Sequence, residues 1–256
     1  MPERARRLIL LTGGHPFERA AFLAMLPPAG WEVVDLRHPG AEMELPGLQV
    51  QPDDVLLFYD MAGYRFSPGA LDTRPPSIDF QASVIARGEA GCGMVVMHHA
   101  MASWPDWPEW AEIVGGRFLY RPATVRGRAC ADSGYLPSVT YRAAVLGAHP
   151  VTAGLPACFE VTDELYLAEV FEGDVEPLLA TDMHLASVGF RSAAAAVGLA
   201  TPGAWHRPAG SRLLAWTHRY RNARVVTMQP GDGPSAYANP ALRLLLTQAL
   251  AWVGRS

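Results

Sequence analysis

The chain has 256 residues, of which 50% are apolar and 18% are charged, so it can bury a large core and is too apolar for a disordered protein. Its formal net charge is −4 and every one of its 21 basic residues is an arginine, which excludes chemistry that needs a lysine amine. The scattered arginines predict no nucleic-acid partner, and no apolar run reaches the roughly 20 residues that cross a bilayer. Three cysteines without a CxxC pair are typical of a cytoplasmic protein.

The first half of the sequence alternates short apolar runs with helical patterns. The predicted strands are Arg7–Thr12, Trp31–Leu36, Asp54–Tyr59 and Met94–Met97, and the predicted helices are His15–Leu26, Ser77–Glu89 and Asp106–Val114. Short apolar strands separated by helices are typical of a parallel sheet that helices cover on both faces.

The second half contains strand patterns with little helix between them. The predicted strands are Ser138–Val145, Val175–Ala180, Arg212–Trp216 and Arg224–Met228. They indicate an antiparallel or mixed extension of the same sheet. A last helix is predicted by Asn239 as N-cap, by Pro240 at the first helical position and by an apolar stripe that runs to Val253. Because no polar linker separates the two halves, we predict one α/β domain over residues 1–256.

Ligands of an open parallel sheet bind beyond the carboxyl ends of its strands. Three predicted loops at that edge carry His15, Asp60, Tyr64, His98 and His99. The His98–His99 pair follows a buried strand, where a nucleophile elbow would place its reactive residue, although a structural pair is the alternative. Adjacent histidines point in different directions, so we expect one of the two to face the cleft.

Further candidate residues lie near other strand ends. Trp104 is close to the His98–His99 edge, and an indole face suits a sugar ring, although helix packing explains the same residue. Asp163 and Glu164 are adjacent carboxylates that can divide acid and base roles if their environments differ, a solvated turn being the alternative. The candidates for substrate binding are in total Asp60, Tyr64, Trp104, Tyr166, His218 and Asp232.

Seven segments occur in an order that is specific when they are taken together: TGGHPF (12–17), GCGMVVMHHA (91–100), VGGRF (114–118), HPVTAGLP (149–156), FEVTDELY (159–166), LLAWTHRYRNARV (213–225) and YANPALRLLLTQALAW (237–252). This ordered set resembles the trehalose-utilisation, or ThuA-like, family from about residue 7 to residue 253. The resemblance implies a flavodoxin-like three-layer sandwich related to class I glutamine amidotransferases. It also implies a role in carbohydrate catabolism, often beside oxidoreductases that make keto-sugars. The positions that match the family's pattern are His15, His98, Asp163, Glu164 and Tyr166.

The sequence departs from its relatives at two points. Amidotransferase chemistry needs a cysteine at the elbow, where this chain has His98 or His99, and Cys92 lies before the strand. We therefore expect no cysteine-dependent amidotransferase activity. Two histidines that the family often has are also missing: Asp232 lies in a Gly-Asp-Gly segment where the family often has Gly-His-Asp, and Arg121 precedes Pro122 where a histidine often follows the GGRF segment.

The residues and the resemblance together predict an enzyme that acts on a sugar or keto-sugar, by hydrolysis or by lyase- or isomerase-type acid–base chemistry. His98 or His99 would be general base or metal ligand, with His15 as partner. Glu164 or Asp163 would be the second proton-transfer group. A divalent metal such as zinc, held by His15 and His98 with a carboxylate, is the cofactor prediction, although no HxxxH or HxH spacing supports it.

The alternative function is a non-catalytic sugar-binding or assembly protein on an amidotransferase-like scaffold, which the missing family histidines favour. In both cases the expected partner is a small-molecule carbohydrate. Homodimerisation through an apolar patch is compatible with both functions.

Overall fold

A computed structural model describes residues 6–27, 29–185, 189–201, 203, 205–208 and 210–254. Its strands are β1 Arg6–Gly13, β2 Trp31–Arg37, β3 Val55–Asp60, β4 Tyr64–Ser67, β5 Ala70–Thr73, β6 Gly93–Met97, β7 Gly116–Arg117, β8 Ala123–Val125, β9 Arg128–Cys130, β10 Gly134–Val145, β11 Cys158–Leu167, β12 Glu169–Val170, β13 Glu176–Thr181, β14 Arg191–Ser192, β15 Leu213–Tyr220 and β16 Ala223–Met228. Its α-helices are α1 Arg19–Leu23, α2 Ala41–Gly47, α3 Ile78–Ala90, α4 Glu109–Val114, α5 Ala193–Ala196, α6 Pro234–Ala238 and α7 Pro240–Val253. Two 3₁₀ helices span His98–Ala102 and Pro150–Thr152.

One large sheet has the strand order β11-β10-β13-β15-β16-β6-β3-β1-β2, with β14 paired to β10. The strands from β16 to β2 are joined by parallel pairs. Those from β16 to β11 are joined by antiparallel pairs. This arrangement confirms the predicted α/β class, with a parallel core and an extension from the second half of the chain.

The sheet is the middle of three layers. Successive residues of β1 point to opposite faces, so Ile9 packs in one apolar cluster and Leu10 in the other. Phe80 of α3 belongs to the first cluster and Leu246 of α7 to the second. Helices therefore cover both faces of the sheet. The loops that can form a site lie at the ends of the strands of the parallel core. No helix among the described residues combines the length and apolarity needed to span a bilayer.

The helix boundaries follow their capping residues. Asn239 accepts hydrogen bonds from the N–H groups of Ala241 and Leu242 at 3.0 and 3.4 Å and begins α7 where predicted. The helix predicted over His15–Leu26 is wrong in length, since α1 covers five residues, Arg19–Leu23. The preceding loop is held close to β3, because a Cβ at Gly14 would lie 2.1 Å from the Met61 carbonyl oxygen.

Strand β11 is the main element that the sequence patterns did not predict. Its charged residues interrupt the apolar pattern, which is typical of a turn. In the structure, β10 pairs with β13 through Ala143–Val145 and with β11 along most of its length. The other end of the β10–β11 hairpin, formed by the start of β10 and the last residues of β11, extends beyond the pairing with β13. There the Tyr166 N–H donates to Oε1 of Gln229, just after β16, at 2.9 Å. This end of the hairpin therefore lies at the carboxyl ends of β6 and β16.

Candidate functional site

The turn after β6 holds the first functional side chain. His98 is fully buried and has a φ of 49°, a backbone region that residues other than glycine rarely adopt. Such strained backbone at the end of a buried strand is a feature of reactive turns. The next residue, His99, is partly exposed, so the two imidazoles differ in burial.

His98 is enclosed by groups from two other segments. Its Nδ1 lies 2.6 Å from the Gln229 carbonyl oxygen, and its Nε2 lies 2.8 Å from the Tyr166 hydroxyl. Carboxylate oxygens of Glu164 and Asp232 approach Nε2 at 3.5 and 3.6 Å. Burial opposes a charge on the ring, but the two carboxylates outweigh that effect and raise the pKa of His98 to about 10. The carbonyl contact fixes the ring so that Nε2 faces the carboxylates.

His99 and His15 form the neighbouring wall of the site. Their rings stack with centroids 3.9 Å apart, and Nε2 of His99 lies 3.6 Å from Oδ1 of Asp232. His15 also contacts the carbonyl oxygens of Pro16 and Tyr59 at 3.1 and 3.3 Å. Burial lowers the pKa of both imidazoles, and the charge of His98 lowers it further. The site therefore combines one cationic histidine with two neutral ones.

Asp163 supports the loop that carries Asp232. Its buried carboxylate accepts hydrogen bonds from the N–H groups of Gly231 at 2.6 Å and Asp232 at 3.1 Å. The hydroxyls of Tyr59 and Tyr237 donate to the carbonyl oxygens of the same two loop residues, at 2.7 and 2.8 Å. Burial raises the pKa of Asp163 to about 6. The structure thus places Asp163 behind the cluster, as a residue that positions Asp232.

Four side chains around this point could hold a metal ion. One ligand atom from each of His98, His99, Glu164 and Asp232 lies within 4.8 Å of the others. The donor set of two imidazoles and two carboxylates fits a divalent cation such as zinc. Because two carboxylates surround one nitrogen, the site requires positive charge, and a metal cation would supply it by displacing both the Nε2 proton of His98 and its contact with the Tyr166 hydroxyl. We name these four residues the polar cluster. The predicted ligand His15 stacks beside the polar cluster and is not among the four.

Other predicted site residues lie at some distance from the polar cluster. Asp60 is fully buried, with a carboxylate oxygen 3.2 Å from Nε2 of His38 and 3.2 Å from the Ser103 hydroxyl. The Tyr64 hydroxyl donates to the Ala102 carbonyl oxygen at 2.7 Å. Both residues connect the loops behind the elbow.

Trp104 and His218 are placed by packing. Trp104 has no exposed surface and lies in the core cluster, which agrees with the alternative of helix packing. His218 pairs in register with Val225, at the start of β16, and its Nε2 lies 3.0 Å from the Glu112 carbonyl oxygen. His218 therefore lies near the amino end of β16, whereas the polar cluster lies at the carboxyl end of this strand.

Three residues of the site were not assigned a role from the sequence: Tyr59, Gln229 and Tyr237. Tyr59 was part of an apolar strand pattern, which gave no sign of a polar role. Gln229 was detectable in principle, because it is a polar residue that directly follows the apolar strand β16.

Cys92 lies outside the turn after β6 that holds His98 and His99. Cys92 precedes β6, donates from Sγ to the Gln51 carbonyl oxygen at 3.1 Å, and has a thiol pKa that burial raises to about 11. A parallel-core α/β sandwich with a strained turn after its fourth core strand is the architecture of the amidotransferase-like proteins, and this chain has a histidine at that turn.

The comparison with protein families identifies the chain more closely. The family model described as trehalose utilisation, ThuA, matches residues 76–253, and the chain therefore belongs to the ThuA family. This confirms the resemblance drawn from the seven segments. No curated protein is similar enough to the sequence to count as a match.

Solved structures share the fold. A protein described as ThuA-like from Parabacteroides merdae ATCC 43184 is 16% identical with a TM-score of 0.67, covering 98% of this chain and 90% of the other. A ThuA-like protein from Bacteroides uniformis ATCC 8492 is 18% identical with a TM-score of 0.63, covering 99% and 93%. The PurLQS structure from Thermotoga maritima is 12% identical with a TM-score of 0.52, covering 97% and 99%. At these identities the likeness concerns the fold, and it confirms the amidotransferase-like, flavodoxin-type architecture.

Proposed function

We propose that this protein is a metal-dependent enzyme of carbohydrate catabolism that acts on a sugar or keto-sugar by acid–base chemistry. The observation that carries the proposal is the polar cluster, in which four ligand atoms from three separate chain segments lie within 4.8 Å of one another. Membership of a family described by trehalose utilisation supports a carbohydrate substrate.

His98, His99 and Asp232 are the residues best placed to hold the cation. Oδ1 of Asp232 lies 3.6 Å from Nε2 of each histidine, so one carboxylate oxygen faces both imidazoles. The Gln229 carbonyl orients His98, as carbonyl partners commonly do for metal-binding histidines. When bound, a divalent cation polarises a substrate carbonyl or hydroxyl oxygen.

Glu164 is the candidate for proton transfer. Its carboxylate comes from β11, and its side chain is 18% exposed. A partly exposed carboxylate beside a polarised sugar oxygen can accept a proton and return it at a neighbouring atom. The Tyr166 hydroxyl, next to the same nitrogen of His98, can hold the substrate by a hydrogen bond.

Metal content separates these roles. The protein is purified without chelators, its zinc and other divalent metals are measured by mass spectrometry, and turnover is followed on disaccharides and their 3-keto derivatives. We expect about one metal equivalent in the wild type and in Glu164→Gln, and less than a tenth in Asp232→Ala. Turnover is expected to be lost in both variants. Glu160→Gln, on the same strand and outside the polar cluster, is the matched control.

Two results would contradict the proposal. If the wild-type protein contains no metal, even after incubation with zinc, manganese or iron, the proposed metal dependence is refuted. Sugar binding by the wild type and by all three variants, with no turnover by any of these proteins, would favour the non-catalytic sugar-binding protein instead.

A further inference from the structure

A cavity of about 700 Å³ opens beside β14, where this strand pairs with the first residues of β10. Its lining residues are Tyr135, Gly189, Phe190, Arg191, Ser192, Ala195, Ala196, Gly203, Trp205 and His206. A cavity of this size holds a molecule of one or two sugar rings. We name it the edge cavity.

Buried hydrogen bonds fix the wall of the edge cavity. Both oxygens of the buried Asp132 carboxylate are used, one accepting from Nε1 of Trp205 at 2.8 Å and the other from the Ser192 hydroxyl at 2.5 Å. The indole packs against Gly134, where a Cβ would lie 2.3 Å from the ring. Trp205 is therefore held in one orientation before any ligand arrives, which lowers the entropy cost of binding.

The chemistry of the lining favours a ring that carries negative charge. Tyr135, Phe190 and Trp205 supply aromatic surface, and none of the described residues that line the cavity carries a carboxylate. Arg191 is exposed, and within the part of the chain that the structure describes its guanidinium has no ion-pair or hydrogen-bond partner. A free guanidinium binds carboxylates and phosphates through two parallel hydrogen bonds.

The strand register connects the edge cavity to the polar cluster. Tyr135 lies opposite Tyr166 of β11 on one side and opposite Arg191 of β14 on the other. Directly opposed residues of antiparallel strands share a face and have Cβ atoms about 5 Å apart, so Arg191 and Tyr166 are roughly 10 Å apart. The rings of Tyr166 and His98 stack at 4.5 Å. This separation matches the length of a two-ring sugar.

We propose that the edge cavity binds the charged part of the substrate, which is an anionic sugar carrying a carboxylate or a phosphate. This inference rests on the proposed function for the statement that the ligand is a sugar. Arg191 then orients the substrate, because it attracts the charged group to the edge cavity and leaves the neutral part of the sugar toward the polar cluster.

Calorimetric titration of the full-length protein tests this inference. The probes are D-glucuronate, D-gluconate and D-glucose 6-phosphate, with D-glucose as the neutral equivalent. We expect at least one anionic probe to bind about tenfold or more tightly than glucose, more weakly at high salt, and to lose about tenfold in Arg191→Gln. Arg142→Gln is the matched control, since Arg142 of β10 is exposed, as Arg191 of β14 is, and does not line the cavity.

Several outcomes would overturn the inference: equal affinity for glucose and the anions, unchanged binding in Arg191→Gln, or no anionic probe bound at 10 mM. Carboxylate and phosphate probes that differ in affinity identify the source of the charge. The proposed function can fail separately. If the wild-type protein holds no metal and shows no turnover but still binds anions through Arg191, the proposed enzyme is refuted and the anion site in the edge cavity stands. If the protein turns over neutral sugars and binds no anion, the anion site is refuted and the proposed enzyme stands.

Discussion

Asp163 and Glu164 are neighbours in sequence with different surroundings. The carboxylate of Glu164 approaches His98 at 3.5 Å, whereas that of Asp163 is taken up by two backbone N–H groups. Asp163 therefore acts through the placement of Asp232, and it lacks free lone pairs aimed at a substrate. The sequence predicted either residue as the second proton-transfer group, and the geometry favours Glu164 for that role.

We expect Asp163→Asn to weaken both the loop and the metal site. In asparagine one of the two carboxylate oxygens becomes an NH2 group, which cannot accept the 3.1 Å hydrogen bond from the Asp232 N–H, so the free energy of unfolding should fall by about 1–3 kcal/mol. The loosened Asp232 should lower zinc affinity roughly 10- to 100-fold. Chemical denaturation and a competition titration with a zinc-binding dye measure the two effects.

Asp182→Asn is the control for Asp163→Asn, because Asp182 is exposed and has no side-chain hydrogen bond within the described ranges. Wild-type zinc affinity in Asp163→Asn would show that the loop holds Asp232 without this carboxylate.

Helix α7 joins the last segment of the chain to the sheet. Asn239 caps its first turn through Oδ1 and donates from Nδ2 to the Glu160 carbonyl oxygen of β11 at 2.8 Å. One side chain thus connects α7 to the hairpin that carries Glu164. The cap was predictable from the sequence because Asn followed by Pro is a local signal, whereas the contact with β11 depends on a strand 79 residues away.

We expect Asn239→Ala to lower the free energy of unfolding by about 1–2 kcal/mol, because two N–H groups at the helix start lose their acceptor. Asn239→Ser keeps an acceptor at the cap and should recover most of that loss. Urea denaturation curves with equal slopes would compare the three proteins directly. A loss below 0.3 kcal/mol in Asn239→Ala would mean that water replaces the cap.

Across the whole molecule, acid favours unfolding through the histidines that the fold keeps neutral. His218 is one of these histidines and lies outside the polar cluster: Nε2–H donates to the Glu112 carbonyl oxygen, and within the described residues Nδ1 has no partner. Burial lowers the pKa of His218 in the folded state. Below the unfolded pKa of about 6.5, the unfolded chain takes up a proton that the folded protein refuses.

The stability that the neutral His218 contributes should therefore be lost as the pH falls from 7.5 to 5, by about 1.4 kcal/mol for each unit by which its pKa is lowered, whereas the raised pKa values of His98 and Asp163 act in the opposite direction. His218→Phe should flatten this pH dependence, since it removes one such group. Differential scanning calorimetry at several pH values measures it. A variant as acid-sensitive as the wild type would show that His218 titrates alike in both states.

The parallel core was predicted correctly because its information is local. The Met94–Met97 pattern, its two flanking glycines and the following histidines define a buried strand with a functional turn from a short stretch of sequence. The polar cluster could be predicted only in part, since His98 meets Glu164 and Asp232 through the docking of a hairpin. That docking depends on contacts such as Tyr166 with Gln229, which lie 63 residues apart.

The alternation of β11 offers a practical route to re-engineering the protein. Val161, Leu165 and Leu167 pack in the core, while Glu164 and Tyr166 point to His98. A combinatorial library restricted to positions 164 and 166 would explore new reactivities on an intact scaffold. A library restricted to the three apolar positions 161, 165 and 167 would instead select for thermal stability with the chemistry unaltered.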